Sequence, residues 1–231
     1  MKGIRGVIFD LDGTLIESLE AVTQAFNGVI QSFGLEPVSK DSLVAFFNRS
    51  ERLQNILLEI APHVFKNEET RRKCMEELRK AYFRIEKESV VLMPGAKEVL
   101  SSLKMQGLKV GVVTARMTVG DRKWLELRRL NIARYIDAMV TGGEAPRKPA
   151  PDGIVKCLEK LHLSAEEVIF VGDTPTDIIA GRRANIRVVA VSTGTADREK
   201  LAAEKPTAVI DNLSQLVTAI EDLGKGGTSV A

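Results

Sequence analysis

Val7-Ile8-Phe9-Asp10-Leu11-Asp12-Gly13-Thr14-Leu15 is the stretch on which the fold turns. An apolar run ends in two carboxylates two positions apart, followed by Gly13 and Thr14, which turn the chain. Continuous hydrophobicity from Ile4 to Phe9 predicts an inner strand of a sheet covered on both faces. Asp10 and Asp12 then stand at the carboxyl end of that strand, where open α/β sheets place their chemistry. Residues i and i+2 of an extended chain point the same way, about 6–7 Å apart, which leaves room for a tetrahedral group beside the acids. Two carboxylates that close repel each other, so a cation or a shared proton is needed to make the arrangement tolerable. The pattern reads as a metal-assisted site for phosphoryl chemistry.

Working outward, four further apolar runs predict inner strands: Lys109 to Thr114, Ile136 to Thr141, Val168 to Gly172 and Val188 to Val191. Helical periodicity separates them, at about Gly95 to Gln106, Val119 to Leu130, Pro151 to Leu161 and Thr176 to Ala184. Strand alternating with helix implies a parallel sheet with right-handed crossovers, an α/β, Rossmann-like core. A short strand near Ala208 to Ile210 and a last helix near Ser214 to Leu223 close it. The first crossover is anomalous. Far more chain lies between Asp10 and Thr114 than the 30 or so residues of a βαβ unit. The excess is helical throughout, with Ala21, Val22, Ala25, Phe26, Val29, Ile30 and Phe33 at helical spacing, then Leu53, Ile56, Leu57 and Ile60, then Leu78, Tyr82 and Phe83. Glu36-Pro37 and Pro62 break it into separate helices, and Pro94-Gly95 marks the return to the sheet. The expected division is a core domain of residues 1–15 and 91–223, an inserted all-helical cap domain of residues 16–90, and a disordered glycine-rich tail at 224–231. Flanking the acidic loop directly, the insertion is expected to lie over the carboxyl end of the first strand and to cover a leaving group.

Length and composition bound the reading. With 231 residues, one domain carrying a large insertion is expected, and an apolar fraction of 44% suffices for a core. The 33 basic and 31 acidic side chains nearly cancel, so no global charge argues for nucleic acid or an acidic membrane surface. Cys74 and Cys157 are too few for a disulfide framework and suit a reducing compartment. Met1-Lys2-Gly3 leads straight into a strand, so no signal peptide is expected, and no run approaches the roughly 18 apolar residues of a membrane span. A cytoplasmic protein is the default expectation.

Other strand ends supply complementary groups. Thr114 closes Val110-Gly111-Val112-Val113-Thr114-Ala115-Arg116, Lys148 sits in Arg147-Lys148-Pro149-Ala150-Pro151-Asp152, and Asp173 and Asp177 lie in Val171-Gly172-Asp173-Thr174-Pro175-Thr176-Asp177. Alone, Thr114 is a plain β-forming residue, Lys148 a solvated turn residue and Asp177 a helix cap. The prolines, however, predict an extended, stiff backbone that aims Lys148, and Asp173 follows a strand closely enough to share a metal with the N-terminal acids. Acid pair, hydroxyl, lysine and acid pair, each after its own strand, make accident improbable. In the insertion, Arg49 and Arg52 are spaced to share a helix face and are candidates for a second anionic group of a substrate, although a solvated face explains them more simply.

With these motifs in place, the chain resembles the haloacid dehalogenase (HAD) superfamily, specifically its phosphatases with a helical cap, over its whole length except the tail. The four motifs match at Asp10-Leu11-Asp12-Gly13-Thr14-Leu15, at Thr114, at Lys148-Pro149-Ala150-Pro151 and at Gly172-Asp173-Thr174-Pro175-Thr176-Asp177. Two positions depart from the pattern: Glu17 stands where these phosphatases often carry Asp, and Ala115 where Asn is frequent. The resemblance implies that Asp10 is the nucleophile, forming an aspartyl-phosphate, and Asp12 the general acid and base. It also implies Mg²⁺ held by the Asp10 carboxylate, the Asp12 backbone carbonyl and the Asp173 carboxylate. Thr114, the Ala115 backbone N–H and Lys148 would take the phosphoryl oxygens, with Asp177 in support. The expected partner is a small phosphorylated molecule, and the expected activity is hydrolysis of a phosphate monoester, as in phosphoglycolate phosphatases. A sugar phosphomutase or a pyrophosphatase on the same scaffold is the alternative. A dehalogenase is disfavoured by Asp12, and a phospho-accepting signalling receiver by the order of the motifs and the insertion.

Overall fold

The computed structural model describes residues 3–48, 51–116 and 121–224. Strand β1 (Gly6–Phe9) and the two-residue β2 (Ile16–Glu17) precede five helices: α1 (Leu19–Ser32), α2 (Lys40–Asn48), α3 (Leu53–Ile60), α4 (Pro62–Phe65) and α5 (Glu68–Ser89). After β3 (Val91–Leu92) the chain alternates: α6 (Ala96–Met105), β4 (Lys109–Val113), α7 (Arg122–Arg129), β5 (Ala138–Val140), α8 (Asp152–Leu161), β6 (Val168–Gly172), α9 (Pro175–Arg183), β7 (Arg187–Val191), α10 (Arg198–Ala203), β8 (Ala208–Ile210) and α11 (Leu216–Gly224). Two compact units result, one formed by Met1–Glu17 with Leu92–Ala231 and the other by Ser18–Val91.

The larger unit is a six-stranded sheet in the order β5-β4-β1-β6-β7-β8, parallel throughout, with β2 and β3 paired as a separate ribbon. All four residues of β1 are buried, as the unbroken apolar run requires of a strand covered on both faces. Ile8, Val113, Val140, Ile154, Phe170 and Val188 belong to one core cluster between sheet and helices. Each such large side chain contributes about 1.5–3 kcal/mol by leaving water. Strand order reverses at β1, with β4 on one side and β6 on the other, which opens a crevice at the carboxyl ends of these three strands. Register makes this specific. Phe9 pairs with Val112 and with Val171, so the residues that follow each strand emerge at one level.

The smaller unit buries Phe26, Ile30, Leu43, Ile56, Leu57 and Phe65 in a core of its own, with α1 packed along the 22-residue α5. Pro62 does more than break a helix, because it occupies the first turn of α4. The polar side of α5 is laced by exposed pairs one turn apart, Arg72 to Glu76 at 3.2 Å and Lys80 to Glu77 at 2.8 Å.

Several boundaries differ from expectation. The first strand begins at Gly6 rather than Ile4, and the third of the apolar runs pairs only over Ala138–Val140. Helix α10 escaped the periodicity because only Leu201 of its six residues is buried, leaving no stripe to read. Gly224, assigned to the tail, is the last residue of α11; the rest of the tail, like Arg49, lies outside the described residues. No helix among the described residues is long and apolar enough to cross a membrane.

Candidate active site

Asp10 leaves β1 with its backbone N–H donating to Val171 O at 2.8 Å, a last rung that fixes it level with the ends of β6 and β4. Thr114 continues β4 in the same way, its N–H donating to Val140 O at 3.0 Å. Both side chains are buried, as are those of Asp173 and Asp177. The Lys148 ammonium donates to Asp10 Oδ1 and to Asp177 Oδ1, joining the third motif to the first and the fourth. Its approach is not the extended one expected from the prolines. The Lys148–Pro149 peptide is cis and Ala150 N–H donates to Arg147 O at 3.0 Å, so Lys148 is carried on a tight turn with cis-proline at its third position.

Asp173 is seated by residues that the sequence reading passed over. Thr14 Oγ1 donates to Asp173 Oδ1 at 2.8 Å, and Thr193 Oγ1 ties down the same loop by donating to Gly13 O at 2.9 Å. A Cβ at Gly13 would fall 2.3 Å from Asp173 Oδ2, and one at Gly194 only 1.7 Å from it, so a side chain at either position would displace the Asp173 carboxylate. Gly13 also has φ +84°, which glycine adopts without strain. Asp177 closes a capping box at the start of α9, where Thr174 is the cap: Asp177 Oδ2 accepts from Thr174 N and Oγ1, while Thr174 Oγ1 accepts from Asp177 N.

Carboxylate oxygens of Asp10, Asp173 and Asp177 lie within 4.8 Å of one another. Three acids face the single ammonium of Lys148, leaving two formal negative charges in a buried space. Burial pushes Asp10 up to about 7, partly opposed by Lys148 and reinforced by repulsion from Asp177 and Asp12. Burial, and then Asp10 and Asp177, hold Asp173 well above the usual carboxylate range, against the pull of Thr14 and Lys148. Burial works against the Lys148 charge, but Asp10 and Asp177 outweigh it and raise its pKa. Hard oxygen donors with an excess charge of two are the donor chemistry of a divalent cation. Asp177 is the least available of the three, since Lys148 and Thr174 already occupy its oxygens.

Asp12 stands apart from this cluster. Arg116 grips it in two-pronged fashion, Nε to Oδ2 at 2.7 Å and Nη2 to Oδ1 at 2.6 Å, while Thr114 Oγ1 lies 3.5 Å from Oδ2. Arg116 was not among the residues expected at the site. Its signal was an arginine two residues past Thr114 in the loop after β4, which in isolation is indistinguishable from a solvated loop residue. The expected site residues of the larger unit fall into two groups: Asp10, Lys148, Asp173 and Asp177 come together around the ammonium and the carboxylate cluster, Asp12 and Thr114 meet each other, and Ala115 adjoins Thr114 in sequence.

Comparison with known proteins shows the family. A family model described as haloacid dehalogenase-like hydrolase matches residues 7–191. The phosphoglycolate phosphatase of Aquifex aeolicus is 30% identical, the match covering 95% of this chain and 98% of that one. Pyrophosphatase PpaX of Bacillus cereus is 29% identical, covering 96% and 99% respectively. Among solved structures, a predicted phosphoglycolate phosphatase from Haemophilus somnus superimposes with a TM-score of 0.84 at 24% identity, covering 95% of this chain and 99% of that one.

Proposed function

This chain belongs to the haloacid dehalogenase-like hydrolases, and from that membership we propose that it is a Mg²⁺-dependent phosphatase of small phosphate monoesters, working through an aspartyl-phosphate. The observation that carries the proposal is the meeting of Asp10, Lys148, Asp173 and Asp177 at the ends of adjacent parallel strands. Asp10 attacks phosphorus as the bond to the leaving oxygen breaks, and Asp12 gives its proton to that oxygen. A water then attacks the aspartyl-phosphate, passing its proton to Asp12 as the bond to Asp10 breaks and phosphate departs. Lys148, Thr114 and the Ala115 N–H hold the remaining phosphoryl oxygens, where negative charge is concentrated in both steps. The Asp10 and Asp173 carboxylates, with the Asp12 backbone carbonyl, are the groups assigned to Mg²⁺. When bound, it would supply charge neutralisation for Asp10 and the phosphoryl group.

The substrate class is narrowed by two relatives, one named for phosphoglycolate and one for pyrophosphate. Both names favour a small, strongly anionic substrate; relatives 30% identical carry each of them, and the monoester is taken first because relatives from several organisms bear that name. Phosphate release should be measured over phosphoglycolate, pyrophosphate and hexose phosphates, with Mg²⁺ and with excess EDTA. A preference of about tenfold or more in kcat/KM for phosphoglycolate, abolished by chelation, is the expected outcome. Preference for pyrophosphate would move the assignment to a pyrophosphatase. Full activity in excess chelator would remove the metal, and no release from any of these compounds would remove the phosphatase.

A further inference from the structure

We propose that Arg116 is the positioning residue for Asp12, fixing the carboxylate that handles the leaving-group proton; this rests on the phosphatase reading above. Asp12 lies outside the Lys148 cluster and has a cation of its own. The guanidinium meets both of its oxygens, at 2.6 and 2.7 Å. A planar fork on a carboxylate sets the direction of its oxygens as well as their charge, which a lysine at the same place would not do. The pair is largely withdrawn from water, with side-chain exposures of 18% for Arg116 and 29% for Asp12.

Arg116 is itself held by its backbone. Its N–H donates to Thr114 Oγ1 at 3.2 Å, and its carbonyl accepts from Gly142 N–H at 3.0 Å. Gly142, just past β5, has no room for a side chain, since a Cβ there would fall 2.4 Å from Ala115 O. The ends of β4 and β5 therefore clamp the segment that carries the guanidinium, and the guanidinium orients Asp12. In the fork Asp12 is a carboxylate accepting on both oxygens, so one of them must turn from the guanidinium to carry the proton. The fork sets where that carboxylate starts, and a general acid must lie within hydrogen-bond reach of the departing oxygen. The two cationic side chains thus divide the labour: Lys148 serves the nucleophile and the phosphoryl group, and Arg116 serves the proton carrier.

The test compares two esters that differ in their need for the proton. p-Nitrophenyl phosphate releases a stable phenolate, whereas ethyl phosphate must release an alkoxide or be protonated, and neither leaving group carries a charge for Arg116 to bind. In the full-length protein, Arg116→Ala should lower kcat/KM for ethyl phosphate about 10–100-fold and that for p-nitrophenyl phosphate less than about threefold. Arg116→Lys, which keeps the charge but loses the fork, should show the same split at smaller size, and it carries the test if the alanine variant does not fold. In an Asp12→Asn background, followed by single-turnover phosphate release from ethyl phosphate, Arg116→Ala should add nothing, because it acts through a carboxylate already removed. Equal losses on both esters, or a full additional loss in the Asp12→Asn background, would overturn the proposal and make Arg116 a direct binder of the phosphoryl group. Wild-type protein that releases phosphate from neither ester would instead sink the phosphatase reading, and this assignment with it.

Discussion

Charge is handled in opposite ways on helix α5 and at the strand ends of the α/β unit. On α5 of the helical unit two ion pairs join residues three or four apart and stand at the surface, Lys80 with Glu77 and Arg72 with Glu76. In the α/β unit the ion pairs at the strand ends join residues 138, 104 and 29 positions apart, and Lys148 with its partners is buried. Geometry explains the contrast. A helix brings only i+3 and i+4 neighbours together, so its charges find local, solvated partners worth a few tenths of a kcal/mol. A parallel sheet delivers the ends of distant segments to one edge, and charges gathered there are desolvated and uncompensated until something binds. Among the described residues, every side chain placed at the site comes from the α/β unit.

The contrast is tested most severely by deleting one charge from each region. Asp10→Asn should reduce turnover by more than about a thousandfold, since no other group supplies the nucleophile. Folding should survive, because burial already disfavours the Asp10 anion and Lys148 keeps Asp177 as a partner. Lys80→Ala on α5 should leave both turnover and melting temperature unchanged. Steady-state kinetics with circular dichroism melts would decide it. Residual activity above about 1% in Asp10→Asn would deny Asp10 its role.

The same contrast explains what could be read from the sequence. The sheet was legible because β1, β4, β6 and β7 are buried along nearly their whole length and so appear as unbroken apolar runs. Asp10, Thr114 and Asp173 were legible because each directly follows a strand, Lys148 because prolines mark its turn, and Asp12 and Asp177 because each lies a few residues past a strand end beside them. Arg116, Thr14 and Gly194 were not, because their roles are relational: an arginine in a loop, a threonine in a turn and a glycine after a strand are ordinary until the facing carboxylate is placed. The helical unit was legible as helices, from its stripes, but the same periodicity carries no information about chemistry. Lys123 and Glu126 sharpen that point. They form a buried ion pair on α7, where a helical wheel would have assigned both to solvent.

A smaller effect separates the units by stability. Each contains one buried thiol, Cys74 in the helical unit and Cys157 in the α/β unit, and burial pushes them up to about 11 and about 12. Neither should react with a disulfide reagent until its surroundings open. Short helices such as α2, α3 and α4 depend on packing for their stability, whereas Cys157 lies on α8 against a six-stranded sheet. Under native conditions Cys74 should therefore label about tenfold faster than Cys157, read by mass spectrometry of the modified peptides. Equal rates would mean that the two units open as one.

The smallest effect concerns the uncompensated charge itself. Asp10 in the metal-free protein holds its proton up to about pH 7, against 3.8 for an ordinary aspartate, and Asp173 is raised as well. Between those values the native state binds more protons than the unfolded state, so stability falls as pH rises through that window. A divalent cation binds the ionised form and should oppose the fall. Mg²⁺ should thus raise the melting temperature by several degrees at pH 8 and by much less at pH 5. The charge pairs on α5 carry no such excess, so a variant lacking Lys80 should show the same metal response as wild type. An equal Mg²⁺ effect at both pH values would mean that the cation does not compete with protons for the strand-end acids. The opposition between a locally neutralised helical surface and an electrostatically unfinished sheet edge would then fail.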